Sequence, residues 1–230
     1  MSDLAKINAA TAALDFVKGG MTVGLGTGST SAHFVRLLGE RVRRGLSVRG
    51  VPTSEATRQQ AEDVGIPLLS LDQTTHIDLD VDGADEVDPG FRLIKGAGAA
   101  MLREKIVAAA SARMIVIADE SKMVGELGAC PLPIEAIPFG YTFAVRRIAE
   151  ALKQTGCPSS NVTLRMRNGE PVMTDGGNYV LDAHAARIPD PEALAQALKQ
   201  ITGVVEHGLF IGLARIVIVG RERGAEVKEI

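Results

Sequence analysis

The sequence predicts an α/β chain: a mostly parallel sheet covered by helices on both faces, interrupted by a smaller α+β domain. Three observations predict it. Up to residue 118, short apolar runs alternate with helix-length segments, as strands joined by crossover helices do. Beyond Lys122 the order becomes β-α-β-β-α-β, a split βαβ or ferredoxin-like unit. Residues 214–219, ARIVIV, then read as a strand buried on both faces, so the chain is expected to return to the first sheet. The expected division is 1–127 with 208–230 for the parallel-sheet domain and 128–207 for the smaller one.

Each element has a local reason. Residues 4–17 read as a helix with Ser2 or Asp3 as N-cap and Gly19-Gly20 as its stop. A short apolar strand at 21–25 runs into a Gly26–Gly28 turn. Helix 29–43 follows, because Phe34, Leu37, Leu38 and Val42 recur at helical spacing. Strand 46–51 precedes helix 54–64, closed by Gly65. Strands are expected at 67–71 and 77–81, a short extended piece at 93–94, a helix at 99–110 and a strand at 114–118. In the smaller domain, strand 132–137 leads to helix 141–154, ended by Gly156. Strand 162–167 alternates apolar and polar residues and reaches Asn168-Gly169, a pair that tolerates positive φ and marks a hairpin. The return strand 172–181 is interrupted at Gly176-Gly177, then come helix 191–201 and a strand opening at Val204.

Composition narrows the function. Twenty-five Lys+Arg against 28 Asp+Glu in 230 residues give a net charge of −3, unlike a dedicated nucleic-acid binder. Six Phe, two Tyr and no Trp offer no stacking platform for bases. Hydrophobic residues at 46% exclude a disordered chain. No apolar run reaches the ~18 residues of a membrane span, and nothing at the start reads as a targeting segment. Cys130 and Cys157 read as reduced thiols, so a cytoplasmic protein is expected.

Four constellations carry chemistry. Gly24–Thr30, GLGTGST, follows a strand and opens a helix, where free amides and the helix dipole favour an anion. Thr27, Gly28, Ser29 and Thr30 are the candidate contacts. A turn needed only for packing would look the same. No acid stands about 20 residues on, as a dinucleotide site requires, and no Lys completes a P-loop. The second is 78–88, with six carboxylates in eleven residues. A strand there would put Asp78, Asp80 and Asp82 on one face, with Asp82 and Asp85 near the carboxyl end that faces a ligand crevice. A solvated acidic edge is the alternative. A calcium loop is rejected, because Pro89 stands where the twelfth-position Glu belongs.

The third is Lys95-Gly96-Ala97-Gly98, again before a helix. That helix is apolar all round except at Arg103-Glu104-Lys105, so at least one of these charges is expected to be buried. A buried carboxyl has a raised pKa and suits general-base work, although Glu104 alone also fits an ordinary helix ion pair. The fourth is Asp119-Glu120-Ser121-Lys122, from which Lys122 could reach the same crevice or lie in solvent. The histidines at 33, 76, 184 and 207 have no metal-ligand spacing, and no nucleophile elbow occurs.

In this order and spacing, GLGTGST, VDGADE (81–86), KGAGAAMLREKI (95–106) and ADESK (118–122) resemble ribose-5-phosphate isomerase type A. VPTSEAT (51–57), PLPIEAIP (131–138), TDGGNYVLD (174–182) and HGLF (207–210) extend the resemblance over essentially the whole chain. It implies a Rossmann-like domain with an inserted α+β domain, and a homodimer or homotetramer. It also implies a metal-free, cofactor-free aldose–ketose isomerase of the non-oxidative pentose phosphate pathway, interconverting D-ribose 5-phosphate and D-ribulose 5-phosphate. By that resemblance Glu104 is the base, and Thr27–Thr30, Asp82, Gly83, Ala84, Asp85, Lys95–Gly98 and Lys122 bind substrate, with Lys6 near the phosphate. Proton transfer through an ene-diolate would then use Asp82 for ring opening, Asp85 for a hydroxyl and Lys95 for oxyanion charge. Ala97 replaces the family's usual glycine, which requires negative φ there. The rival readings are a sugar-phosphate sensor domain, without the expected helix-turn-helix, and an amino-sugar phosphate deaminase.

Overall fold

The computed structural model describes residues 3–230, so Ser2, the alternative N-cap, lies outside the described residues. In chain order the elements are α1 (Asp3–Ala13), β1 (Thr22–Leu25), α2 (Ser29–Arg43), β2 (Arg49–Pro52), α3 (Glu55–Asp63), β3 (Leu79–Gly83), β4 (Glu86–Val87) and β5 (Leu93–Ile94). Then come α4 (Met101–Ala110), β6 (Met114–Asp119), β7 (Leu132–Ala136), α5 (Tyr141–Gln154), β8 (Asn161–Leu164), β9 (Met166–Arg167), β10 (Glu170–Pro171) and β11 (Tyr179–His184). The chain ends with α6 (Pro191–Lys199), β12 (Val204–His207), β13 (Leu209–Phe210), β14 (Ala214–Arg221) and β15 (Gly224–Glu229).

The chain divides into two compact units. The first runs to Ala84, resumes over Arg103–Met123 and ends with Gly212–Ile230. Its sheet has the order β15-β14-β6-β3-β1-β2, parallel throughout except for β15 at the edge. The return of 214–219 to this sheet is as expected: β14 pairs β6 in parallel. Val23, Leu25, Leu79, Val81, Ile115, Ile117, Ile216 and Ile218 bury one set of alternate positions against Leu14 and against Phe34, Val35 and Leu38 of α2. The chain passes from β1 outward to β2, then crosses to β3 on the other side of β1. The carboxyl ends of β1 and β3 are therefore a topological switch point, where open α/β sheets bind ligands.

The second unit is Asp85–Leu102 with Val124–Ile211, so it also takes in 85–102. Its antiparallel sheet, ordered β12-β7-β11-β8, carries α5 and α6 in the sequence β-α-β-β-α-β, the ferredoxin-like arrangement. A three-stranded sheet, β13-β5-β4, completes it. The hairpin turn stands at Asn168 (φ 53°) and Gly169 (φ 84°), joining β9 to β10.

Residues 67–71 form no strand; only Leu68 bridges to Gly50. Pro67 lacks an N–H for the ladder, and Leu71 begins a short 3₁₀ turn instead. Residues 162–167 are split at Arg165, and the return strand begins only at Tyr179. Both cysteines are free thiols, and burial pushes the Cys157 thiol up. No helix among the described residues is long and apolar enough to cross a membrane.

Candidate active site

In the first unit, the glycine-rich and acid-rich segments prove to be one feature. β1 and β3 pair in parallel with Gly24 beside Asp80. A Cβ on Gly24 would lie 2.5 Å from Asp80 Oδ1, and one on Gly26 would lie 2.0 Å from Asp82 Oδ1 and 2.6 Å from Asp82 Cα. The glycines leave the room that two fully buried carboxylates occupy. Asp82 Oδ1 accepts the Thr27 amide at 3.0 Å, the Gly83 amide at 2.7 Å and the Ser31 hydroxyl at 3.1 Å. These charge-assisted bonds fix the carboxylate at the switch point. The Ser31 hydroxyl also accepts from the Gly83 amide, at 3.1 Å.

The Thr27 hydroxyl is turned away from this carboxylate. It lies 2.8 Å from Thr53 Oγ1, 2.8 Å from Ser54 Oγ and 3.1 Å from Thr57 Oγ1. Thr53 donates to the Leu25 carbonyl and Thr57 to the Gly26 carbonyl, each at 3.0 Å. This hydroxyl cluster supports the turn from behind.

α2 begins at Ser29 with Gly28 as N-cap, and no side chain caps its first turn. Its leading amides are thus left for an anion. Lys6, from α1, places Nζ 2.9 Å from Ser29 Oγ, so a cation stands at the positive end of this 15-residue helix. Thr30 is the second residue of the same turn. Lys122 closes a short 3₁₀ turn capped by Asp119, and its ammonium makes no hydrogen bond or ion pair among the described residues.

Glu104 lies on α4 with 3% of its surface exposed. It shares a helix face with Val107 and Ala108, both buried, while Arg103 turns outward and pairs with Glu55 at 2.9 Å. The expectation that one of the three adjacent charges is buried therefore resolves on the carboxylate. Arg58, and after it Arg103, holds the exposed Glu55 carboxyl below its usual range.

The second unit carries Asp85 and the 95–98 loop. Lys95 is buried, 2% exposed; its amide donates to the Gly208 carbonyl at 2.9 Å, and its ammonium stands 5.5 Å from the Phe210 ring centre. Asp85 Oδ2 accepts the Ala97 amide at 2.9 Å. Ala97 is not among the residues with positive φ, whereas Ala99 is, at 61°. Gly96 has φ 107° and packs against Pro133 and Met101. Arg165, which nothing in the sequence singles out, donates to the Gly96 and Ala97 carbonyls. Among the described residues no cluster of three or more His, Cys, Asp or Glu is placed to hold a metal ion.

The family model for ribose 5-phosphate isomerase A (phosphoriboisomerase A) matches residues 49–224. Ribose-5-phosphate isomerase A of Nitrobacter hamburgensis is 58% identical over 99% of this chain and 98% of its own. The Maricaulis maris protein of the same name is 54% identical over 98% and 97%. Among solved structures, D-ribose-5-phosphate isomerase in complex with phospho-erythronic acid superposes with a TM-score of 0.91 at 43% identity, covering all of both chains. Ribose 5-phosphate isomerase from Plasmodium falciparum gives 0.93 at 36%, covering 100% of this chain and 99% of that one. On motif order, fold and full-length identity together, this chain belongs to the ribose 5-phosphate isomerase A family.

Proposed function

We propose that this protein interconverts D-ribose 5-phosphate and D-ribulose 5-phosphate through an ene-diolate, with Glu104 as the base. The burial of Glu104 carries the assignment. Burying a carboxylate costs several kcal/mol, and a helix that needed only packing would carry an apolar residue on that face. In this reading the phosphate sits at the open first turn of α2, on Ser29, Thr30, the Gly28 loop and Lys6, with Lys122 as a second cation. Asp82 serves ring opening, Asp85 and the Gly83-Ala84 backbone hold hydroxyls, and Lys95 with the Gly96–Gly98 loop meets oxyanion charge.

In the step itself, the Glu104 carboxylate takes the C2 proton of the open-chain aldose. The C2–H electrons form the C1–C2 double bond, and the carbonyl electrons move to O1. A proton passes from O2 to O1, the O2 electrons re-form a carbonyl at C2, and Glu104 returns its proton to C1. Charge on O1 and O2 is then greatest midway, which is where fixed donors lower the barrier. The ligand named for the relative, phospho-erythronic acid, fits such a site: its planar carboxylate offers two oxygens where an ene-diolate has O1 and O2.

We further infer a cytoplasmic homodimer or homotetramer. Phe139, 91% exposed, with Ile137 and Phe143 nearby in sequence, supports a subunit surface on the second unit. The test of the main proposal is direct. Wild-type protein should convert ribose 5-phosphate to ribulose 5-phosphate, and Glu104→Gln should fold normally while kcat falls on the order of 10²–10⁴-fold. More than about a tenth of wild-type kcat in that variant would pass the base role to Asp82.

A further inference from the structure

We propose that Arg165 is a positioning residue for the isomerisation, acting through the Lys95–Gly98 loop; the inference rests on the reading of that loop given above. Arg165 sits at the break between β8 and β9, its side chain 16% exposed. Its backbone is fixed, with its amide donating to the Val180 carbonyl and its carbonyl accepting from Val172. Nε and Nη2 of the guanidinium form a two-pronged pair with Asp182, at 2.9 and 2.5 Å. The remaining nitrogen, Nη1, donates to both the Gly96 and Ala97 carbonyls at 3.0 Å. Asp182 thus sets the plane of the guanidinium, and the guanidinium sets two successive peptide groups.

Peptide geometry gives the consequence. In a trans peptide the C=O and the following N–H point to opposite sides. The peptide joining Gly96 to Ala97 is held at both ends, by Arg165 on its carbonyl and by Asp85 on its N–H. The peptide joining Ala97 to Gly98 is held only at the carbonyl, so Arg165 aims the Gly98 N–H directly away from itself. Among the described residues no protein acceptor takes the Gly96 or Gly98 amide. These two donors, beside Lys95, are the loop's free capacity for an oxyanion. Lysine could replace the charge of Arg165 but not the planar fork that reaches Asp182 and two carbonyls at once.

The experiment is steady-state kinetics on wild type, Arg165→Lys, Arg165→Ala and Asp182→Asn, with inhibition by phospho-erythronic acid measured on each. Arg165→Ala is expected to lose about 10–100-fold in kcat with KM for ribose 5-phosphate changed less than about threefold. The inhibition constant should rise in step with the loss of kcat/KM, millimolar guanidinium should restore part of kcat, and Arg165→Lys should rescue poorly. Asp182→Asn, which keeps the arginine and loosens its plane, should fall between; it carries the test if Arg165→Ala does not fold. A merely structural role would lower the active fraction and leave the inhibition constant of the remaining enzyme unchanged, which overturns the proposal. Unchanged kcat in the folded variants overturns it equally. Wild type without isomerase activity would instead defeat the proposed function, an outcome distinct from either.

Discussion

Replacing Gly26 by alanine tests the close approach of β1 and β3 at the switch point. The added methyl would sit 2.0 Å from Asp82 Oδ1 and 2.6 Å from Asp82 Cα, where ordinary contact begins near 3.4 Å. Rotating the carboxylate relieves the first clash but not the second, because Cα is backbone of β3. The strands must therefore part by 3.4 minus 2.6, or 0.8 Å, against a Gly26 amide held by the Val81 carbonyl at 3.0 Å. Overpacking of this kind costs about 1–3 kcal/mol. Disturbing the donors on the Asp82 carboxylate adds about 2 kcal/mol, the value of one hydrogen bond to a charged group. The expected loss is about 3–5 kcal/mol, a fall in Tm of roughly 6–20 °C for a chain of this size. A shift near 1 Å at Asp82 should also cost about 10²-fold in kcat/KM. Thermal denaturation and the ribose 5-phosphate assay read both effects. Gly19→Ala is the control, since nothing lies within 4 Å of the new methyl and the backbone needs no left-handed conformation. A Gly26→Ala protein with Tm within about 2 °C of wild type and kcat/KM within about threefold would refute the steric argument.

Other perturbations separate the remaining roles. Lys6→Ala should raise KM about 10–100-fold with kcat nearly kept, the equivalent of one charged hydrogen bond to the phosphate, and Lys122→Ala should act in the same direction; a kcat effect without a KM effect would move either lysine to the chemical step. Ala99→Gly should leave Tm no lower and raise it by up to about 6 °C: relief of a left-handed alanine is worth about 1–2 kcal/mol, against about 0.5–1 kcal/mol for the freer unfolded glycine. A lower Tm would mean that Ala99 is unstrained. Activity should survive EDTA, and product formed in D₂O should carry some deuterium at C1, reduced if the shielded carboxyl returns its proton before exchange. Loss of activity to the chelator, restored by a divalent ion, with no deuterium in the product, would replace proton transfer by hydride shift.

Helical spacing located α2 and α5 to the residue, because each has an apolar stripe bounded by glycine. The apolar run of β14 likewise announced a strand covered on both faces. Glu104 was legible as one of three charges on an otherwise apolar helix, though periodicity alone did not say which of them turns inward. Strands β4 and β13 are two residues long and carry no period at all, whereas β5 falls on the extended piece expected at 93–94. β15, GAEVKE, is a polar edge strand whose sequence shows no burial pattern. The matching of Gly24 with Asp80 and of Gly26 with Asp82 depends on strand register across more than 50 residues of chain, so the two segments looked like separate motifs. Arg165 was illegible for the same reason: its partners are some 70 residues earlier, and an arginine alternating with apolar residues reads as a solvated strand face.

The hydroxyl cluster of Thr27, Thr53, Ser54 and Thr57 has a consequence for how acidity is felt by the enzyme. Two of its four protons go to the Leu25 and Gly26 carbonyls, which leaves Thr53 and Thr57 to accept within the group. Thr27 donates to Ser54 and Ser54 to Thr57, which uses the remaining two protons, and none of the four groups carries a charge. Alcohols neither gain nor lose a proton across the range in which proteins stay folded, and they respond little to ionic strength. The scaffold beneath the Gly26–Gly28 turn is therefore silent in a pH–rate profile. The inflections of such a profile then belong to the groups that handle protons and to the substrate phosphate, and salt should act on the encounter with that dianion rather than on the shape of the turn.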